Sequence, residues 1–406
     1  MKYIYRNIEN TINKAVKMFP AIIVTGARQV GKTTLLKHIT KDIGYITLDD
    51  PILLQSAIEE PGSFFKISPP PVMVDEIQYA PNLFPYIKMI ADETGEKGQF
   101  YLTGSQQFKM MKDVSESLAG RIGIVNLLGL SLREIKGDCT NISFKPTEEY
   151  IDKRIKTVKD TDYREIWEII HKGSMPAMHA ENLDWQMFYG AYTKTYIERD
   201  VRELTQVGDE LKFLKFMTVI ASRTGQMLNL TAIANDVGVS VPTADRWLSI
   251  LISSNIVYLL QPFYNNITKR AIKTPKLYFL DTGLAAYLTK WNTSEVLEAG
   301  AMSGAFFETF VIAEILKSYY NAGVLDPAIY YYRDKDQKEI DLIIEENGML
   351  YPIEIKKTTS PSKEHISNFS VLKNKGFNVE NGGIICMYDR CIKIDENNMT
   401  IPIDYL

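Results

Sequence analysis

The first residues in this chain whose spacing chemistry could use are GARQVGKTT, Gly26 to Thr34. Two glycines bracket Ala27, Arg28, Gln29 and Val30, and Gly31 is followed by Lys32, Thr33 and Thr34. Glycines free the backbone so that N–H groups can wrap phosphate oxygens. A lysine placed next reaches the β and γ phosphates of a nucleotide, and a threonine hydroxyl can ligate Mg²⁺. A chance glycine-rich turn is the plainer reading, but AIIVT before the motif and LLKHI after it supply the strand and helix that the chemistry requires. The expected ligands are ATP and Mg²⁺.

Phosphate chemistry also needs a carboxylate on the metal side. In PPPVMVDEIQ, the run Val72, Met73 and Val74 has the unbroken apolar character of a parallel strand buried on both faces, and it ends in Asp75-Glu76. Asp75 is expected to hold the Mg²⁺ and Glu76 to polarise the attacking water, a division of labour that suits hydrolysis. A third strand, QFYLTGS, ends in Thr103-Gly104-Ser105, whose hydroxyls either sense a γ phosphate or cap a turn.

A second constellation lies far downstream, in KEIDLIIEENGMLYPIEIKK, Lys338 to Lys357. Asn347-Gly348 between apolar runs signals a two-residue hairpin, and counting outward from it sets Asp341 opposite Glu354. Facing like charges destabilise a ladder. The alternation puts Ile340, Leu342, Ile344, Tyr351, Ile353 and Ile355 on a core face, and Glu339, Asp341, Glu354 and Lys356 on the other. Either that second face is solvated, or a Mg²⁺ or Mn²⁺ ion shared by Asp341 and Glu354 relieves the repulsion.

From about Ile22 to Ile135 the chain resembles the ATPase domain of a prokaryotic AAA+-like family, on GARQVGKTT, DEIQYAP, LTGSQQ and LAGRIGIVNLLGLSLREI. The resemblance implies ATP hydrolysis, with Lys32, Asp75, Glu76 and Ser105 as its working residues. For Arg121 it implies a charge aimed at a nucleotide in its own or a neighbouring subunit, although a purely structural arginine is equally compatible. From KLYFLDTGLAAYL onward the chain looks like the domain of unknown function that commonly follows such ATPases, a tail related to the PD-(D/E)XK nuclease fold. That resemblance assigns Glu308, Asp341 and Glu354 to a metal and gives Lys356 a catalytic role.

These residues need elements to position them. A chain of 406 residues with 45% hydrophobic and 24% charged residues is a folded protein of two or three domains. Its net charge of −4 gives no global attraction to nucleic acid. Cys139, Cys386 and Cys391 make no disulfide or zinc pattern, and no run reaches membrane-spanning length, so a cytoplasmic location is expected. The expected fold class is α/β: a P-loop ATPase domain over 1–137, a linker over 138–160, a helical region with a winged helix-turn-helix over 161–275, and an α/β nuclease-like domain over 276–406.

The winged helix-turn-helix is read from LTAIANDVGVSVPTADRWLSILISSNIVYLL, with a turn at Gly238 and Trp247, Ile250 and Leu251 facing inward. Its helices are electrically balanced, but the following NNITKRAIKTPK carries Lys269, Arg270, Lys273 and Lys276 without an acid. That loop either contacts DNA phosphates or is a solvated tip. Partners beyond ATP are therefore expected to be DNA, through the winged helix and the C-terminal domain, or a protein. Assembly into an oligomer is compatible with either.

Overall fold

The computed structural model describes residues 2–104, 117–158, 161–196, 210–264 and 274–406. Ser105, Lys269, Arg270 and Lys273 lie outside the described residues.

Five parallel strands form the N-terminal sheet: β1 (Ala21–Thr25), β2 (Gly44–Thr47), β3 (Val72–Asp75), β4 (Phe100–Gly104) and β5 (Ile122–Asn126), in the order β2-β3-β4-β1-β5. Every residue of β1, β3 and β4 is buried. This is why these strands read as continuous apolar runs, since helices cover both faces of a parallel sheet. The helix Lys32–Ile39 leaves β1, and the helix Leu132–Lys136 closes the unit. Ser131 and Glu134 form a capping box at the start of the closing helix. Glu134 also accepts from Arg6 Nε at 3.1 Å and from Asn7 N at 2.7 Å, so the same carboxylate fastens the N-terminal segment.

The stretch expected to be a linker is tightly held. Its helix Glu148–Ile155 buries Tyr150 and Arg154, and the Arg154 Nε donates to Tyr405 O at 3.1 Å. Beyond it, helices Glu210–Ala221, Leu230–Val237 and Val241–Ser253 pack with β6 (Gln226–Met227), β7 (Val257–Leu260) and β8 (Lys276–Phe279), an antiparallel sheet ordered β6-β8-β7. Gly238 takes φ +80° at the turn, and Trp247, Ile250 and Leu251 are buried. Because β8 is the central strand here, the boundary expected between 275 and 276 falls inside this sheet.

The C-terminal sheet is mixed: β9 (Ile329–Arg333), β10 (Glu339–Glu346), β11 (Met349–Lys356), β12 (Gly382–Cys386) and β13 (Asn398–Pro402), in the order β13-β12-β11-β10-β9. Asn347 and Gly348 both have positive φ, and β10 pairs with β11 from Glu346–Met349 to Leu342–Ile353, the counted register. One expectation and one of the two alternatives fail at the open end of this hairpin. A bulge against β9 between Ile340 and Ile343 sends Ile340 into the same apolar cluster as Ile343 and Leu350, away from Leu342 and Ile344. The face carrying Asp341 and Glu354 is not solvated either: the two residues are only 6% and 5% exposed.

Candidate functional site

At the end of β1 the chain turns through Gly26 at φ +154°, where a Cβ would sit 2.1 Å from Leu127 O. No side chain fits there. Gly31, at φ +92°, starts the helix Lys32–Ile39 with no side chain capping its first N–H groups. Those donors and the positive end of the helix dipole face outward from the sheet edge, the arrangement that attracts phosphate. The Lys32 ammonium folds over the loop and donates to Gly26 O at 3.0 Å and Ala27 O at 2.8 Å. Arg6 braces the loop from behind, donating to Val30 O and Leu128 O, each at 2.8 Å.

The parallel neighbours β3 and β4 end beside the loop. Asp75, 5% exposed, accepts from Thr33 Oγ1 at 2.8 Å, from Tyr45 OH at 3.2 Å and from Thr103 Oγ1. Glu76 follows in the left-handed region, φ +58° and ψ +44°, which costs a non-glycine residue about 1–3 kcal/mol. Its N–H donates to Thr103 Oγ1 at 3.1 Å and its carboxylate accepts from Gln78 Nε2. The strained turn thus aims Glu76 at the loop and Gln78 fixes its orientation.

A cavity of about 890 Å³ opens here, lined by Arg28, Gln29, Gly31, Lys32, Thr33, Thr34 and Glu76. Tyr3, Pro176 and Phe188 complete its wall from the N-terminal segment and the middle region. Sequence reasoning missed these three, along with Arg6, Tyr45 and Gln78. Tyr3, Arg6, Tyr45, Pro176 and Phe188 carry no spacing signal because they arrive from elements outside the motifs, whereas Gln78 stands two residues after Glu76 in the same stretch. Arg121 does not line this cavity. It forms an exposed ion pair with Asp92, with Nη2 3.0 Å from Oδ2.

The C-terminal carboxylates also come together, but around lysines. The Lys276 Nζ lies 3.0 Å from Glu308, 2.5 Å from Glu339 and 4.0 Å from Asp341. Lys356 lies 2.8 Å from Glu354 and 3.1 Å from Asp341, and the Asp341 carboxylate also accepts Ile355 N at 2.9 Å. Burial pushes the Glu354 carboxyl above the usual range, with the neighbouring Asp341 charge adding to it and Lys356 opposing it. Burial disfavours the charged form of Lys276, yet Glu308, Asp341 and Glu339 together hold its pKa above the ordinary value. The divalent ion expected between Asp341 and Glu354 is therefore not needed to offset their charges. Among the described residues no group of three or more His, Cys, Asp or Glu is arranged to hold a metal. Lys276, expected in a basic loop that either contacts DNA or is a solvated tip, is 3% exposed.

Comparison with known proteins matches three stretches of the chain, the second of which runs across the boundary expected between 275 and 276. Residues 18–136 match an AAA domain, residues 163–295 a domain of unknown function (DUF8612), and residues 303–406 a second domain of unknown function (DUF4143). Uncharacterized proteins of Mycobacterium tuberculosis and Mycobacterium bovis are each 28% identical over 370 residues, covering 88% of this chain and 75% of theirs. Among solved structures, a Walker-type ATPase of Pyrococcus abyssi aligns at 15% identity with a TM-score of 0.45, covering 69% of this chain and 94% of that one. The RuvB Holliday junction branch migration motor of Thermotoga maritima aligns at 15% identity with a TM-score of 0.31, covering 62% and 88%. The AAA match covers the unit that carries the Gly26–Thr34 loop and the five-stranded parallel sheet. Among the described residues no helix is long and apolar enough to cross a membrane.

Proposed function

We propose that this protein binds MgATP at the Gly26–Thr34 loop and hydrolyses it. The observation that carries the reading is the 2.8 Å hydrogen bond from Thr33 to Asp75 beneath the loop, which joins the two residue types that hold Mg²⁺ in such sites. Gly26, closed to any Cβ by Leu127 O, lets the chain turn tightly against its neighbour and present the loop's backbone N–H groups. Lys32 exchanges its contacts with Gly26 O and Ala27 O for phosphate oxygens, Thr33 and Asp75 hold the ion, and Thr103 keeps Asp75 oriented. When bound, the ion would supply charge neutralisation to the phosphates that Lys32 and the loop backbone contact. Glu76, turned toward the cavity and steadied by Gln78, accepts the proton of the attacking water.

Steady-state phosphate release tests this. Lys32→Ala should abolish turnover, while Glu76→Gln should still bind a fluorescent ATP analogue but release no phosphate. Normal turnover in the Lys32 variant sinks the assignment.

A coupling to DNA is favoured by one further observation: the helix–turn–helix at Gly238 is followed by β7 and β8 flanking the basic stretch Lys269, Arg270 and Lys273, the order of elements in a winged helix. In this reading the wing contacts phosphates and ATP turnover responds. Added duplex DNA at low salt should raise the ATPase rate. A rate indifferent to DNA favours a nucleotide-driven switch acting on a protein partner, with the C-terminal domain as a scaffold.

A further inference from the structure

Lys276 belongs to two units at once. Its backbone opens β8 and pairs with Met227 of β6 and Leu260 of β7, but its side chain crosses to the carboxylates of the C-terminal domain. Three acids from two elements converge on its ammonium: Glu308 from the helix Ser303–Asn321, and Glu339 and Asp341 from β10. Tyr278, two residues along β8, donates to the same Glu308 at 2.6 Å. Arg333 reaches Glu339 at 3.2 Å, and Lys356 holds Asp341 and Glu354. Four acidic side chains, with burial favouring the protonated form of Glu354, are thus met by three cations, and Glu354 Oε2 is buried without a hydrogen-bond partner.

We propose that the Lys276 ammonium is the resident cation of this cluster, standing where a divalent ion would otherwise bind and latching the helix-turn-helix sheet to the C-terminal sheet. An ammonium offers three donors to the acids around it, and β8 is paired on both sides, so the backbone that carries Lys276 is fixed beside the cluster. A hard cation needs several oxygens within roughly 2.0–2.6 Å, and it cannot approach while Nζ fills their common centre. Removing the ammonium, however, leaves acids with a strong demand for positive charge. The native protein therefore excludes divalent ions here, and the Lys276→Met variant admits one.

The experiment is Mn²⁺ titration of nucleotide-free protein, followed by electron paramagnetic resonance and by melting temperature, so it does not depend on the ATPase reading. Wild type and Asp341→Asn should give the same Mn²⁺ isotherm, because the cluster takes none. Lys276→Met should melt lower, gain one Mn²⁺ equivalent and recover stability with the ion. The double variant Lys276→Met, Asp341→Asn should lose that gain. If Lys276→Met folds only when Mn²⁺ is supplied, that too supports the latch. Mn²⁺ bound by wild type in an Asp341-dependent way overturns the proposal without any Lys276 variant. A stable Lys276→Met protein that takes up no ion overturns it as well.

Discussion

Single residues in this protein are set by what surrounds them more than by their type. Thr33, Asp75 and Thr103 are 70 positions apart at the extremes, yet they share one hydrogen-bonded cluster because β1, β3 and β4 end at the same sheet edge. Glu354 shows the same dependence through its proton. Burial and Asp341 push its pKa up from 4.5 to about 8, so the folded chain holds a proton that the unfolded chain has released. The contribution to stability is fully present below about pH 4.5 and is lost as pH rises through about 8. Glu354→Gln carries a permanently neutral side chain, so its stability relative to wild type should increase between pH 5 and pH 9, read by urea melts at matched ionic strength. Parallel pH profiles for the two proteins would reject the shifted proton.

Elements decide which of these residues can be changed without losing the fold. The phosphate loop depends on Gly26, where φ is +154° and Leu127 O leaves no room for a methyl group. Gly26→Ala should therefore displace the loop from β5's following residues and weaken nucleotide binding by at least about tenfold, or about 1.4 kcal/mol. The helix-turn-helix gives a contrast. Gly238 also has positive φ, at +80°, but no atom lies within 4 Å of its notional Cβ. Gly238→Ala should cost only the left-handed strain, roughly 1–2 kcal/mol of stability, with nucleotide affinity unchanged. Equilibrium binding of a labelled nucleotide alongside thermal melts separates the two variants; equal affinity losses would contradict this assignment of roles.

Across the whole molecule the three parts share one core. A single apolar cluster runs from Ile8 through Trp167, Trp247 and Phe310 to Leu406. The helix Ser303–Asn321 is central to it, and its Glu314 accepts Leu132 N of the P-loop domain at 2.7 Å while pairing with Lys317 at the same distance. Lys317 in turn donates to Leu130 O at 2.8 Å. Glu314→Ala strands a buried ammonium and a helix-end N–H. Breaking a buried pair costs about 3–5 kcal/mol, and the surviving Leu130 contact puts this case toward the lower end. Calorimetry should show one cooperative transition for wild type, shifted down in the variant. Two well-separated transitions in wild type would mean that the shared core does not couple the parts.

The phosphate loop, the Asp75-Glu76 strand end, the turn at Gly238 and the Asn347-Gly348 hairpin were all legible in the sequence. Each is a local signal in which residue type and spacing constrain a few adjacent backbone angles, and the structure has strands, helices and turns at these positions. The unbroken apolar runs of β1 and β3 likewise foretold a buried parallel sheet. What the sequence could not decide was which distant groups would meet. Tyr3 and Phe188 reach the cavity at the Gly26–Thr34 loop only because the N-terminal segment and the middle helices fold over the sheet edge. The bulge that moves Ile340 depends on β9, which the hairpin's own alternation does not reveal. Most plainly, the repulsion between Asp341 and Glu354 was visible from register, but its relief was not. The repulsion is answered by the proton that burial and Asp341 keep on Glu354, by Lys356 on the same strand and by Lys276 from another sheet, and neither burial nor a charge brought in by tertiary packing leaves a trace in local spacing.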